Sequence, residues 1–544
     1  MVWPNEGLTH RPYVAGRRGA VASAHPLASQ AGLSMLQQGG NAIDAIVATA
    51  ATLNVVEPFM SGAAGVGYMV IKPAGATKPI VLDFIGHAPG GATPDRFQEA
   101  GSKDFGILSP LVPGSLAGWL TALERFGSLD RATVFAPAIE YAEHGYPVTV
   151  KNYLFMSSAR ERLLNWETSS RAYLLDGETP KPGAILKQPE LANTFRTIVE
   201  GGIEAFYRGP IAQEITAFSG ANGGLLTAED LAAYEPTWQE PISTTYHGYT
   251  VYCPALPCSG MQYLETLNLV EGFDLAAMGH NSADYIHHLA EAIKLAVADR
   301  TTYAPNPESP IERLLSKEYA AQRRTLIDPM KAGYSGGERY TSTKHEHEVL
   351  PGSFSELDRE STTHFVAADA AGNAVACTQT LGAPFGSAVV HGNTGLMLNN
   401  FAHWFDLDPQ SPNVIAPYKK VEMCLAPSQI WHDDKLFLMV GTPGSFGIMQ
   451  TTPQMMLNVL DHQYSIQAAI EAPRFRTGDG TELLVEGRVT AEVLDALRQR
   501  GHQVRVLDDW TPLVGGGQGI LIDPESDAFS AGADPRRDGY GLAF

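Results

Sequence analysis

The stretch Glu360-Ser361-Thr362-Thr363-His364-Phe365-Val366-Ala367-Ala368-Asp369-Ala370-Ala371-Gly372-Asn373-Ala374-Val375-Ala376-Cys377-Thr378-Gln379-Thr380 reads as a β-hairpin. Thr362 to Ala368 is β-branched and aromatic enough for a strand. Asp369 to Asn373 supplies turn chemistry, and Ala374 to Thr380 resumes the alternation. The first strand therefore begins with a threonine. A hydroxyl there is ordinary unless the chain is cut in front of it.

A cut between Ser361 and Thr362 would give one residue both a nucleophile and its own base. Threonine's hydroxyl needs a nearby proton acceptor at neutral pH. A free α-amine titrates at roughly 7.7 to 8.0, so a useful fraction is neutral near physiological pH. One residue then does the work of a Ser–His pair.

Working outward, Pro26 opens a helical segment that runs through Leu36 and ends at Gly39-Gly40. Asn41 caps a second helix with Asp44 at its third position, and Ile43, Ile46, Val47, Ala50 and Leu53 make an apolar face. Gly67 to Lys72 and Pro79 to Phe84 read as strands, so the chain mixes helix and strand. Roughly Pro113 to Ala332 reads as mostly helical. Met330 to Glu360 is rich in Gly, Ser, Thr, His and Glu and reads as a mobile connection.

Bulk properties narrow the classes. The chain has 544 residues, 44% of them hydrophobic, enough for a substantial core, and shows no long linker between independent domains. A net charge of −21 argues against nucleic-acid and anionic-membrane partners. No Lys/Arg cluster with interleaved aromatics and no run of about 18 apolar residues occurs. Met1 to Val14 lacks the apolar core of a secretory signal, so a cytoplasmic location is expected. Cys253, Cys258, Cys377 and Cys424 have no metal-type spacing and read as reduced thiols. His287 and Glu291 share a helical face, but a second convergent pair is missing. His345 and His347 read as part of a solvated tail. No metal or cofactor is expected.

The hairpin, followed by Phe385-Gly386-Ser387 and Gly395-Leu396-Met397-Leu398-Asn399-Asn400, resembles the γ-glutamyltransferase family of self-cleaving N-terminal-nucleophile (Ntn) hydrolases. Gly39-Gly40-Asn41-Ala42-Ile43-Asp44-Ala45, Val55-Val56-Glu57-Pro58, Ser61-Gly62 and Gly65-Val66-Gly67 resemble its amino-terminal signature. Val112-Pro113-Gly114-Ser115, Phe206-Tyr207-Arg208-Gly209, Ala296-Val297-Ala298-Asp299-Arg300, Gly441-Thr442-Pro443-Gly444 and Glu471-Ala472-Pro473-Arg474-Phe475 follow in the family's order.

This resemblance implies an α/β (α+β) fold, a four-layer αββα sandwich of the Ntn-hydrolase type. It implies self-cleavage between Ser361 and Thr362, leaving a large subunit 1–361 and a small subunit 362–544 as one intertwined unit. Thr362 is then the nucleophile and Thr380 its hydrogen-bond partner, while Gly444 and Ser445 supply backbone donors to the oxyanion. Thr363 and Asn399 fall at further site-ordering positions. The implied partners are a small-molecule amide and water or an amine acceptor, with a homodimer of heterodimers left open.

One departure stands out. The positions that grip the amino and carboxylate ends of a γ-glutamyl group in relatives align here with Gly382, Phe401 and Trp404, and with Ile85, Met423 and Cys424. Burying a zwitterionic head there without partners costs several kcal/mol. The expected substrate is therefore an amide whose acyl group lacks that head, apolar or aromatic. A glutathione hydrolase with altered recognition and a non-catalytic paralogue are the alternatives.

Overall fold

The computed structural model describes residues 9–333 and 361–544. The stretch 334–360, most of the expected mobile connection, lies outside the described residues. Two seven-stranded sheets form the centre. One runs, in spatial order, Tyr540–Ala543, Gly19–Ser23, Ser361–Asp369, Ala374–Gly382, Val66–Lys72, Ile80–Asp83, Thr237–Gln239. The other runs Val14–Gly16, Phe529–Ala533, Gln518–Ile522, Lys435–Gly441, Gln429–His432, Tyr249–Cys253, Ile242–Tyr246. Every pairing in both sheets is antiparallel.

Period-two alternation divides the hairpin between two cores. Val366, Ala368, Ala374 and Ala376, with Ala20 and Ala22, face the second sheet, where Trp431, Leu436, Met439, Ile520 and Phe529 meet them. Small residues on one sheet and large ones on the other let the faces interdigitate. Phe365, Ala367, Val375 and Cys377 face the other way, into a cluster that includes the helix Ala42–Val56. That helix and Pro26–Gln37 cover the first sheet, while Ile448–Leu460 and Ile466–Glu471 cover the second. The layers are helix, sheet, sheet, helix, as expected of an Ntn-type sandwich.

The helix starts follow local chemistry. Asn41 Oδ1 accepts from the Ile43 and Asp44 amides at 2.8 and 3.2 Å, and Asp44 Oδ2 accepts from the Asn41 amide at 2.7 Å, a full capping box. Every residue of Ala42–Val56 is buried, so the helix is enclosed all round rather than on one face. Asp369, in the hairpin turn, accepts the Ala42 amide at 2.8 Å and fastens the turn to the helix.

The middle of the chain is less uniformly helical than its periodicity predicts. The run Ile242–Tyr246, His247-Gly248, Tyr249–Cys253 forms a β-hairpin at the edge of the second sheet. Its Thr and Tyr content is the β signal, and the two-residue turn takes positive φ at both positions.

His364, beside Thr362 and Thr363, is fully buried; its Nδ1 lies 2.8 Å from Thr378 Oγ1. Burial pushes its pKa down to about 3. The folded state keeps this imidazole neutral while the unfolded chain protonates it near 6.5, so its contribution is intact above pH 6.5 and lost as pH falls toward 3. His364→Gln is therefore expected to lose less stability than the parent on acidification. The gap between the two should close by about 1.4 kcal/mol per pH unit below 6.5. Urea unfolding of both proteins from pH 7 to 5 checks this, and a constant gap refutes it.

Candidate active site

The strand carrying Thr362 begins with a break in register. Ser361 pairs with Gly382 and Thr363 with Gln379, so the step between them is irregular and Thr362 sits in it. Such a bulge re-aims a side chain out of the regular ladder. Thr362 and Thr380 both line a narrow, closely packed crevice, together with Gly382, Phe401, Trp404, Cys424, Leu425 and Ser445. Thr362 is 2% exposed. Thr380 Oγ1 accepts from the Gly382 amide at 2.9 Å at the end of the second strand.

From the far end of the chain, Arg537 Nη1 donates to the Thr362 carbonyl at 3.1 Å. The segment before it is anchored by buried ion pairs, Arg474 to Asp534 at 2.6 Å and Arg536 to Glu486 at 2.6 Å. Behind the strand lies Glu57, at the end of the helix Ala42–Val56. Burial lifts its carboxyl to about 7, with Arg537 and Thr363 opposing the shift. Sequence periodicity carries no signal for Arg537 or Leu425, because their roles come from tertiary placement.

The turn after the strand Lys435–Gly441 brings Ser445 to the crevice, while Gly444 precedes it outside the lining. Gly444 has φ 132 and Ser445 φ 54, both positive. The serine thus holds the left-handed conformation despite its Cβ, a strain on the order of 1 kcal/mol. The helix Ile448–Leu460 starts just beyond, so its positive end lies behind the turn.

Phe401–Trp404 forms a single 3-10 turn that builds the apolar wall. The Trp404 ring centroid lies 6.0 Å from Phe401 and 4.9 Å from Phe446. The Arg300 guanidinium covers Phe446 at 4.0 Å and pairs with Glu422 at 2.8 Å, both charges buried. On the other side of Trp404 a second space holds Lys103, His403, Asp406 and Glu422.

Not every residue aligned with the family's substrate grip reaches the crevice. Gly382, Phe401, Trp404 and Cys424 line it; Ile85, Met423, Asn399 and Thr363 do not. Ile85 is fully buried in the core just past the strand Ile80–Asp83. Met423 is drawn away by backbone pairing, its amide donating to the Pro257 carbonyl at 3.0 Å and its carbonyl accepting from Ser259 at 2.8 Å. Asn399 spends its side chain on backbone, accepting from the Leu111 amide at 2.9 Å and donating to the Ala64 and Leu111 carbonyls at 3.1 and 3.0 Å. Thr363, one residue along the strand, is buried on the Glu57 side. These four positions thus stand outside the lining of the crevice beside Thr362.

Gly382 has a positive φ of 106, and a Cβ there would lie 2.1 Å from Asn400 Oδ1. That oxygen already accepts the Ala383 amide at 2.8 Å. Gly382→Asn, which adds a polar side chain at this position, is expected to destabilise the protein by about 2 to 4 kcal/mol through clash and strain. It should confer no γ-glutamyl binding. Denaturant midpoints and γ-glutamyl-p-nitroanilide assays check both parts.

Comparison with known proteins agrees with this architecture. Residues 28–544 match the family model described as gamma-glutamyltranspeptidase. The chain is 37% identical to an acylase ACY 1 proenzyme of Pseudomonas sp. (strain V22), over 97% of this chain and 94% of the relative. It is 34% identical to the glutathione hydrolase proenzyme of Escherichia coli (strain K12), over 96% and 91%. The crystal structure of cephalosporin acylase from Bacillus halodurans superposes with a TM-score of 0.90 at 34% identity, covering 100% of this chain and 99% of that one.

Proposed function

Since the chain belongs to the gamma-glutamyltranspeptidase family, we propose that it is a self-processing N-terminal-threonine amidohydrolase whose acyl substrate lacks the amino-acid head of a γ-glutamyl group. The observation that carries this reading is the wall around Thr362. Phe401, Trp404, Cys424 and Gly382 bring no charged or amide side chain to the crevice. Lost charged hydrogen bonds cost roughly 1.5 to 3 kcal/mol each, and a buried, unpaired zwitterion costs more. The acylase names among its relatives point the same way.

In this mechanism Thr362 Oγ first attacks the Ser361 carbonyl carbon. The Ser361–Thr362 amide breaks as the ester forms, which frees the Thr362 amine, and water then hydrolyses the ester to release the Ser361 carboxylate and restore the Thr362 hydroxyl. The products are chains 1–361 and 362–544. In the mature enzyme the freed amine takes the hydroxyl proton as Oγ attacks the substrate amide. That proton then passes to the leaving amine, and water or an amine acceptor takes the acyl group from the ester. Gly444 and Ser445 are assigned to the oxyanion, and Thr380 to orienting the nucleophile.

A glutathione hydrolase is the second reading. The charged Lys103, Asp406 and Glu422 across Trp404 favour it, if that ring swings aside. The test is to purify the protein, sequence the new N-terminus, and assay apolar acyl amides beside glutathione. Preferential glutathione hydrolysis would replace the first reading with the second.

A further inference from the structure

The helix Ala283–Tyr303 carries His287 and Glu291 one turn apart, a spacing that alone lacks a third ligand. Folding supplies it from far along the chain. His502 follows the helix Ala491–Gln499, and its ring meets His287 with Nδ1 of His287 2.9 Å from Nε2 of His502. One ligand atom from each of His287, Glu291 and His502 lies within 4.8 Å of the others, and all three residues are buried. We propose that His287 Nδ1, His502 Nε2 and a Glu291 oxygen form a binding site for one divalent cation, Zn2+ by ligand type, with water in the fourth position.

The surroundings suit that role. His287 Nε2 lies 2.7 Å from the Asp328 carbonyl. A carbonyl only accepts, so Nε2 carries the proton and Nδ1 presents its lone pair. This is the backbone-anchored tautomer found at metal-bound histidines. Without metal, His502 Nε2 must then donate to His287. His502 Nδ1 has no hydrogen-bond partner among the described residues, so the ligating tautomer leaves that N–H unpaired, a cost the metal bond must exceed. Moving the His502 proton to Nδ1 converts Nε2 from donor to ligand with no net change in charge. Two nitrogens on tetrahedral zinc stand about 3.3 Å apart at Zn–N distances near 2.0 to 2.1 Å. The rings therefore need to part by only a few tenths of an ångström.

Glu291 is held from outside as ligating carboxylates are. Its Oε2 accepts the Gly333 amide at 2.9 Å and its Oε1 the Lys294 ammonium at 2.8 Å. The ammonium opposes a second cation and limits affinity. Each carboxylate oxygen nevertheless keeps a further lone pair for the metal. The site also joins distant segments: Asp328 to Gly333 on one side, and Arg500 to His502 on the other, where the Arg500 carbonyl accepts from Ala332 at 2.7 Å. A bound cation would clip the last described residues before position 334 to the carboxy-terminal third of the chain. The inference does not depend on the hydrolase reading.

The full-length protein is stripped with EDTA, titrated with ZnCl2, desalted and analysed for metal, with thermal unfolding alongside. One zinc per chain and a raised unfolding temperature are expected. Glu291→Gln and His502→Ala should each weaken binding at least tenfold. His345→Ala/His347→Ala, which removes the other histidine pair, should keep full stoichiometry. Less than half a zinc in the parent, undiminished binding in both ligand variants, or loss of binding in the double variant overturns the proposal. Should His502→Ala fold poorly, the near-isosteric Glu291→Gln and the parent's own stoichiometry still decide it.

Discussion

Thr362→Ala is expected to leave the protein as one uncut chain of 544 residues with amidase activity down by roughly 10^4 to 10^6. The parent should separate on a denaturing gel into chains of 361 residues and the remaining 183. Alanine removes the only oxygen proposed to attack both the Ser361 carbonyl and the substrate, so one substitution erases processing and turnover together. Thr362 lies in the irregular step of its ladder, where the loss of a hydroxyl disturbs little pairing. Folding should therefore survive, and circular dichroism would verify it. Thr362→Ser keeps the oxygen and should still cut, more slowly. Complete cutting of the alanine variant would remove Thr362 from the mechanism.

The second large effect is in substrate choice. For amides of one leaving group, kcat/KM for an apolar or aryl acyl chain should exceed that for γ-glutamyl by about 10^2 to 10^4. That range corresponds to two forfeited charged hydrogen bonds at 1.5 to 3 kcal/mol each. Phe401 and Trp404 carry the preference, because they occupy the crevice where a polar grip is absent. Trp404→Ala should cut apolar-amide kcat/KM at least tenfold by removing the indole wall and its tilted contact with Phe446. Equal turnover of γ-glutamyl-p-nitroanilide and an aryl-acyl p-nitroanilide would refute the proposed specificity.

Much of this was legible in the sequence because it is local. The hairpin around Asp369–Asn373, the Pro26 start, the Asn41 capping box and the Gly39-Gly40 stop each follow from neighbouring residues, and each is present. The tyrosine-rich hairpin Ile242–Cys253 was missed amid helical neighbours, although its strand chemistry is equally local. The walls of the crevice were only half legible. Phe401 and Trp404 reach it from one short turn, but Met423 and Cys424 are adjacent in sequence and part company in space. Backbone pairing with Pro257–Ser259, which sequence spacing does not encode, decides which of the two reaches the crevice beside Thr362. His502 was invisible as a companion of His287 for the same reason, since the two are 215 residues apart.

The order of strands in the first sheet has a thermodynamic consequence. Gly19–Ser23 is pinned between Tyr540–Ala543 and Ser361–Asp369, while Ala374–Gly382 is flanked on its other side by Val66–Lys72. A cut before Thr362 therefore leaves two polypeptides woven through one sheet, neither able to complete its hydrogen bonding alone. Unfolding of the intact precursor is unimolecular, but unfolding of the cut form is also a dissociation. Its melting temperature should rise with protein concentration while the Thr362→Ala chain shows no such dependence. Denatured precursor can refold as a single chain, whereas the mature pair must first find each other. Maturation would thus trade reversibility for activity.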